Sequence, residues 1–351
     1  MKNTAQFIAR TLDASGVLGV MERLDKSSGL RVLVYHRIDD PAAEPDLDPG
    51  LISATPEAFR EQMHLVAERY NPVSLHTVLA AQRGETSLPR AAVLITFDDA
   101  YLDFSMHAWP VLRDLGLPAV LFVPTAFPGC EEGTGFWWDR LYAGLRRAQE
   151  RVVTLPDLGD FDTAGATNLR LALNACKRHV KSQPHGEAMD WVESALAELA
   201  DIPPLARILS WDDLRALARQ GLDVCGHGHS HALCTRLTVA ELKEDLMTCQ
   251  TRLIRELGGD ACGSVIAWPA NACNHQVCEI AQSLGFEMGF GGVRGVTKIP
   301  PMNPLDIMRI PVLRYQRALF RAQLRPGIAG LGRWMLETTG SGLQMTKRSM
   351  S

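Results

Sequence analysis

Ala92-Val93-Leu94-Ile95-Thr96-Phe97-Asp98-Asp99-Ala100-Tyr101 is the stretch that decides the fold. Six uncharged, mostly apolar residues in a row predict a β-strand covered on both faces, as in a parallel sheet. The strand runs into two aspartates, and in α/β sheets and barrels ligand sites gather at the C-terminal strand ends. Upstream, Leu30-Arg31-Val32-Leu33-Val34-Tyr35 predicts an earlier strand, followed by a polar, proline-bearing loop from Asp39 to Ile52. Thr55-Pro56-Glu57 then starts a helix, with Thr as cap and Pro in the first turn. Phe59, Met63 and Val66 give that helix its buried side. Downstream, Trp109 to Leu115 predicts a helix closed by Gly116, and Ala119 to Val123 the next strand. Strands alternating with helices indicate an α/β sheet or barrel.

From about residue 128 to 207 the alternation stops. Arg170-Leu171-Ala172-Leu173 and Trp191 to Leu199 predict an inserted helical subdomain, which costs little when it leaves a surface loop. The rhythm resumes at Ser210-Trp211-Asp212-Asp213, a capping-box pattern ahead of Leu214 and Leu217. Leu222 to Cys225 is a short strand. Thr238-Val239-Ala240-Glu241 opens a long helix with Leu242, Leu246, Leu253 and Leu257 on one stripe, stopped by Gly258-Gly259. Ser264 to Trp268, Glu287 to Phe290 and Arg309 to Leu313 are further strands, and Asn274 to Leu284 a helix. The expected organisation is an N-terminal helical segment (1–29), a barrel in two parts (30–127 and 208–325), the insertion (128–207) and a flexible tail (326–351).

Composition removes several function classes. The chain has 351 residues, 46% apolar and 22% charged, enough to bury a large core. A formal charge of −4 gives no basic field for gripping nucleic acid. No apolar run approaches the roughly 18 residues of a membrane span. Arg10, Asp13, Glu22 and Arg23 interrupt the apolar stretch a secretory signal would need, so a cytoplasmic location is expected. Ile8, Leu12, Leu18, Met21 and Leu24 can share one side of a short helix. That helix either packs on the fold or rests on a membrane surface, in which case residues 1–25 would make the protein peripheral on the inner membrane face. None of the eight cysteines forms a C-x-x-C pair, and free thiols in a reducing compartment are expected.

The chemistry-bearing residues fall in two places. Asp98 and Asp99 are neighbouring carboxylates that repel unless a cation or a shared proton relieves them. Gly226-His227-Gly228-His229-Ser230-His231, also just past a strand, holds three of the ten histidines. His227 and His231 are four apart, which on a helical turn places both on one face. With Asp99 they would form a two-His, one-Asp set with open coordination positions, suited to zinc, iron or a related divalent metal. His229 is expected to point elsewhere.

Thr96-Phe97-Asp98-Asp99-Ala100-Tyr101 and His227-Gly228-His229-Ser230-His231 resemble the first two motifs of the polysaccharide deacetylases, the NodB-homology or carbohydrate esterase 4 family. Leu33-Val34-Tyr35-His36-Arg37-Ile38 resembles the opening strand of the branch that includes bacterial poly-N-acetylglucosamine deacetylases. Phe136-Trp137-Trp138-Asp139-Arg140-Leu141 and Ala267-Trp268-Pro269 are similar to segments of that branch. The resemblance spans about residues 31 to 315. It implies a distorted (β/α) barrel with fewer than eight complete strands. It implies Asp99, His227 and His231 as ligands of one divalent metal, zinc foremost, with cobalt, nickel or iron as alternatives. It implies Asp98 as general base and His36 as general acid. The reaction implied is hydrolysis of the N-acetyl group of an amino sugar in a polysaccharide or glycolipid.

An acetamide is a poor electrophile with a poor leaving group, so a Lewis acid, a base and an acid are each needed. The Ala270 N–H is a candidate donor to the oxyanion. Asp306 and Arg309 either hold the base or substrate or form an ion pair with each other. Trp268 and one of Trp137 and Trp138 either stack on sugar rings or belong to the core. The third motif departs from the branch pattern, reading Ala267-Trp268-Pro269-Ala270-Asn271 where an Ala-Tyr-Pro-Tyr-Gly pattern is usual. Two other functions are compatible with these residues. One is a carbohydrate-binding relic of the barrel without catalysis. The other is a deformylase or deacylase of a lipid-linked amino sugar.

Overall fold

The computed structural model describes residues 2–24, 29–129, 135–148, 152–199, 202, 208–258, 263–292, 294–312 and 317–325. The 326–351 tail, Leu313, Cys130 and Cys262 lie outside them. The chain begins with helices α1 (Lys2–Ala14) and α2 (Val17–Leu24), then strands β1 (Arg31–Tyr35), β2 (Arg37–Ile38) and β3 (Ile52–Ala54). Helix α3 (Pro56–Arg69), strand β4 (Asn71–Pro72), helix α4 (Leu75–Gln82) and strand β5 (Ala92–Asp98) follow. Next come α5 (Trp109–Asp114) and β6 (Ala119–Val123). Thr55 Oγ1 accepts the Ala58 N–H to cap α3, as its sequence requires.

After β6 the chain forms α6 (Trp137–Arg147), strands β7 (Val152–Leu155) and β8 (Gly159–Asp162), α7 (Gly165–Ser182) and α8 (His185–Ala197). These helices share a core of their own, including Leu141, Leu145, Leu173, Cys176, Trp191 and Val192. The sequence reading expected helices only. The structure adds an antiparallel hairpin, β7 with β8, whose first strand alternates exposed and buried side chains. Asp157 and Gly159, both at positive φ, make its turn.

The rest of the barrel is α9 (Trp211–Arg219), β9 (Asp223–Gly226), α10 (Val239–Leu257), β10 (Val265–Ala267), α11 (His275–Ser283) and β11 (Met288–Gly292). Two short strands, β12 (Ile307–Met308) and β13 (Ile310–Pro311), and helix α12 (Arg317–Gln323) end the described chain. Ser210 and Thr238 both close reciprocal capping boxes, with Asp213 and Glu241.

The main sheet runs β12-β11-β10-β9-β6-β5-β1-β13, and each of these neighbours pairs in parallel. Its two edges are consecutive in sequence, separated by Arg309 alone, so one extended segment brings the sheet round on itself. The result is a nearly closed parallel barrel with fewer than eight complete strands. Alternate residues fill its inside: Val32, Leu94, Val120, Phe122, Val265, Met288 and Phe290 form one cluster, with Val78 and Leu79 of α4 among them. The opposite faces, including Leu33, Ile95, Leu121 and Val224, pack on Phe59 and Met63 of α3, Leu112 of α5 and Leu214 of α9.

The N-terminal helices pack on α12 through Ala9, Leu18, Ala318 and Ala322, and Arg321 pairs with Asp13. Among the described residues no helix is long and apolar enough to cross a membrane.

Candidate active site

The barrel delivers its polar side chains to one end. Asp98 is the last residue of β5, in phase with Leu94 and Thr96, so it faces the barrel interior at the C-terminal mouth. A continuing strand would turn Asp99 away. Instead Asp99 and Ala100 take left-handed conformations, φ +74 and +55, and Asp99 joins its neighbour at the mouth. Left-handed non-glycine residues cost about 1–3 kcal/mol each and persist where the surroundings over-determine them.

His227 follows β9 directly, and its N–H donates to Val123 O across the strand ends. The expected helical turn between His227 and His231 is absent. The segment is a loop folded back by Gly228 (φ +74) and by His231 itself (φ +57). A Cβ at residue 228 would lie 3.0 Å from Asp245 Oδ2, so the close packing of α10 adds to the demand for glycine. Asp245 was not anticipated from sequence. Its carboxylate accepts the His229 and Ser230 N–H groups at 2.8 and 2.9 Å and the Ser230 hydroxyl at 2.6 Å. The signal was a carboxylate on the otherwise apolar stripe of α10, between Leu242 and Cys249. His229 turns aside, its Nδ1 2.9 Å from Thr125 Oγ1.

Asp99, His227 and His231 each present one ligand atom, all within 4.8 Å of one another. Asp99 Oδ1 lies 3.5 Å from His227 Nε2 and 3.2 Å from His231 Nε2. The His227 ring is fixed from behind by a 2.8 Å hydrogen bond from Nδ1 to the Ala267 carbonyl. That tautomer leaves Nε2 with a bare lone pair. Asp99 Oδ1 is buried and has no hydrogen-bond partner. An orphaned carboxylate oxygen facing two imidazole lone pairs fits a divalent cation, which satisfies all three at once. Burial pushes the Asp99 carboxyl up, but His227, His231 and the nearby His36 outweigh it and hold it well below the usual carboxylate range. Burial disfavours charge on both rings. It prevails at His231, whose pKa falls, and is overcome at His227 by Asp98 and Asp99.

Asp98 stands beside this group, Oδ2 3.8 Å from His227 Nε2. Arg309 holds it, with Nη1 2.9 and 2.8 Å from its two oxygens, while Nη2 donates to Asn271 Oδ1 at 2.9 Å. Of the readings open to Arg309, holding the base, holding substrate or pairing with Asp306, the structure bears out the first: the side chain is buried, 4% exposed, and grips the carboxylate of Asp98 rather than facing a substrate. Asn271, the departure from the third-motif pattern, is thereby part of the same network. Ala270 lies beside it at φ +50 in the turn Pro269–Asn271. His36, between β1 and β2, is half-buried and its N–H donates to Ser53 Oγ at 3.0 Å.

Trp268, read as either a sugar-stacking residue or part of the core, belongs to the core, and its substrate-binding role falls away. It is fully buried, with no face for a sugar ring. Its indole lies over the glycines of β11, where a Cβ at residue 291 would come within 2.6 Å of Cδ1, and its Nε1 donates to Leu305 O at 2.8 Å. The paired glycines were the overlooked sign that this Trp packs inward. Trp138, 8% exposed, stacks on Phe136, and its ring lies 4.7 Å from that of His231. Its Nε1 donates to the Tyr101 hydroxyl, which donates in turn to Asp139.

Burial pushes Asp139 up to about 7, with Arg37 and Tyr101 pulling it back only in part. A folded pKa above the unfolded value of about 3.9 adds stability that is complete below pH 4 and is lost as pH rises through 7. Asp139→Asn is therefore expected to flatten the fall in unfolding free energy between pH 5 and 8 by about 1–4 kcal/mol. Denaturant unfolding of both proteins at the two pH values checks this, and equal slopes would refute it.

Residues 168–289 match the family model described as polysaccharide deacetylase. Over that span the chain is similar to the polysaccharide deacetylases. The matched span contains His227 and His231 and omits Asp98 and Asp99, which the barrel brings to them. Over 94 residues the chain is 36% identical to a poly-β-1,6-N-acetyl-D-glucosamine N-deacetylase of Escherichia coli strain K12, and equally to that of E. coli O157:H7. That match covers 26% of this chain and 13% of the relative's length. The chain also resembles solved structures. A Streptococcus pyogenes deacetylase, PplD, aligns with TM-score 0.54 at 17% identity, over 84% of this chain and 97% of that one. The deacetylase domain of BpsB from Bordetella bronchiseptica aligns with TM-score 0.53 at 18% identity, over 83% and 98%. IcaB from Ammonifex degensii aligns with TM-score 0.53 at 17% identity, over 87% and 97%. These likenesses establish the fold.

Proposed function

We propose that the protein hydrolyses the N-acetyl group of an amino sugar in a polysaccharide, with a divalent cation held by Asp99, His227 and His231. The supporting observation is the convergence of those three ligand atoms beside an arginine-held aspartate at the mouth of the barrel. The polysaccharide deacetylase match and the relationship to poly-N-acetylglucosamine deacetylases support the choice of substrate. When bound, a divalent cation supplies Lewis acidity toward the acetamide carbonyl and makes water more acidic, zinc being suited to this nitrogen and oxygen donor set.

The chain's own residues do the rest. Asp98, oriented by Arg309 and not needed as a ligand, takes a proton from the attacking water. His36 gives a proton to the departing amine, a step suited to imidazole near neutral pH. The Ala270 N–H, in the turn beside Asn271, is the donor assigned here to the charge that develops on the carbonyl oxygen. Water adds to the carbonyl carbon, the C–N bond breaks, and acetate and a free amine leave.

Acetate and amine release from a β-linked N-acetylglucosamine oligomer by the zinc-loaded protein tests the activity, and absence of both from every acetylated glycan offered would reject it. Cation binding has its own readout. Zinc at about 100 times its dissociation constant is expected to stabilise the protein by about 2.7 kcal/mol. Asp99→Asn is expected to abolish that thermal shift, and an undiminished shift would place the cation elsewhere.

A further inference from the structure

Cys273 Sγ and Cys278 Sγ lie 3.2 Å apart, just beyond the third-motif turn that ends in Asn271. Local chain geometry brings them together. Asn274 is the N-cap of α11, its Oδ1 accepting the Val277 N–H at 2.9 Å. Cys273 therefore precedes the cap, and Cys278 is the fourth helical residue. Side chains at those two positions meet across the first turn of a helix and fix the angle at which the chain enters, a contact that apolar residues usually make. Here two thiols make it. The Leu305 carbonyl lies against both, 3.9 Å from Cys273 Sγ and 3.8 Å from Cys278 Sγ. Cys273 is half-buried, and Asn274, His275 and Gln276 between the pair are exposed, so a small solute can reach it. We propose that the pair is a site of oxidative modification, which a hydroperoxide closes to a disulfide that ties the third-motif turn to α11.

Cys278 is the nucleophile. The Cys273 S–H, opposed by burial and helped by the Asn303 amide 3.5 Å away, lowers the Cys278 thiol to about 7. Its place in the first turns of a helix also favours the thiolate. Burial instead pushes Cys176 and Cys249 up to about 12 and keeps them protonated. The Cys278 thiolate attacks one oxygen of the peroxide, the O–O bond breaks, and an alcohol or water leaves. Cys278 becomes a sulfenic acid. The Cys273 sulfur then attacks the Cys278 sulfur, the S–O bond breaks, and water leaves with the Cys273 proton. Two thiols and one hydroperoxide give one disulfide, one water and one alcohol or second water, and sulfur supplies both electrons that reduce the peroxide.

The bond would act on a strained turn. Ala270 and Asn271 are both left-handed, φ +50 and +56, a state that persists only where the surroundings hold it. The Cys273 N–H donates to Asn271 O at 3.0 Å, and Asn271 Oδ1 accepts from the Arg309 that grips Asp98. A covalent link at residue 273 removes open conformations of this turn that a contact between thiols leaves accessible.

Hydrogen peroxide is added stepwise to the reduced full-length protein until no more is consumed, and peptide masses are read. The 273–278 segment is expected to be short of two hydrogens, with Cys176 and Cys249 still free. Cys278→Ser is expected to leave Cys273 reduced. Cys273→Ser, whose hydroxyl can still donate to Cys278, is expected to stop at a sulfenic acid that dimedone captures on Cys278. Two free thiols in the parent protein, or a sulfinic acid at Cys278 in place of the disulfide, overturns the site. A sulfenic acid on Cys273 of the Cys278→Ser variant overturns the choice of nucleophile. The tie has its own readout: the Asn271, Ala272 and Cys273 amides are expected to exchange hydrogen about 3- to 10-fold more slowly in the disulfide form, and dithiothreitol to reverse this. Equal exchange in the two forms overturns the tie. Neither readout uses activity, so both hold whether or not the protein releases acetate.

Discussion

Asp98→Asn is expected to lower kcat for acetate release by about 10²–10⁴-fold while zinc still raises the melting temperature. The amide keeps the shape of the side chain but cannot take a proton from water. Asp98 lies 3.8 Å from His227 Nε2, whereas the closer carboxylate oxygen belongs to Asp99, at 3.5 Å. Losing the base therefore should not unload the cation. The variant does lose one good contact, because Arg309 Nη1 now faces an NH₂ in place of an oxygen. Kinetics belong at a temperature where the variant is shown folded by circular dichroism. Unchanged kcat would remove Asp98 from the proton transfer. Loss of the zinc-dependent shift would instead make Asp98 a ligand, and the division of labour between the two aspartates would fail.

Much of this arrangement was legible because it follows from local chemistry. The apolar run at 92–97 could only be a covered strand, and a strand that ends in two carboxylates marks the chemically active end of a barrel. The capping boxes at Ser210 and Thr238 were written in four residues each and formed as expected. What stayed hidden depended on partners far apart in sequence. Arg309 could be noticed, but its partner lies 211 residues away. Nothing near it separates Asp98 from Asp306 as that partner. Trp268 in a motif next to proline suggested an exposed aromatic, and only the glycines at 289 and 291, on a neighbouring strand, make room for it inside. The two histidines were grouped correctly for the wrong local reason. Spacing of four suggested a helical turn, while a loop with two left-handed residues, anchored by Asp245, brings them together. Backbone strain of that kind is set by tertiary contacts and leaves little trace in composition.

Arg309→Met is expected to destabilise the protein by about 3–5 kcal/mol, the cost of leaving a buried charge without its partner. Asp98 is 2% exposed, so water cannot replace the guanidinium that now meets both its oxygens. Asn271 Oδ1 loses its donor at the same time. The position adds a mechanical demand, because residue 309 is the single link between β12, paired with β11, and β13, paired with β1. Two causes can thus give the same loss, and a double variant separates them. If charge is responsible, Arg309→Met combined with Asp98→Asn removes both members of that buried pair, and stability should return to within about 1–2 kcal/mol of the parent, as when a buried pair is replaced whole. If closure of the barrel is responsible, the second substitution restores nothing. Chemical denaturation of the four proteins gives the coupling directly. A coupling near zero would mean that Arg309 serves the wall of the barrel, and that the orientation of Asp98 has another source.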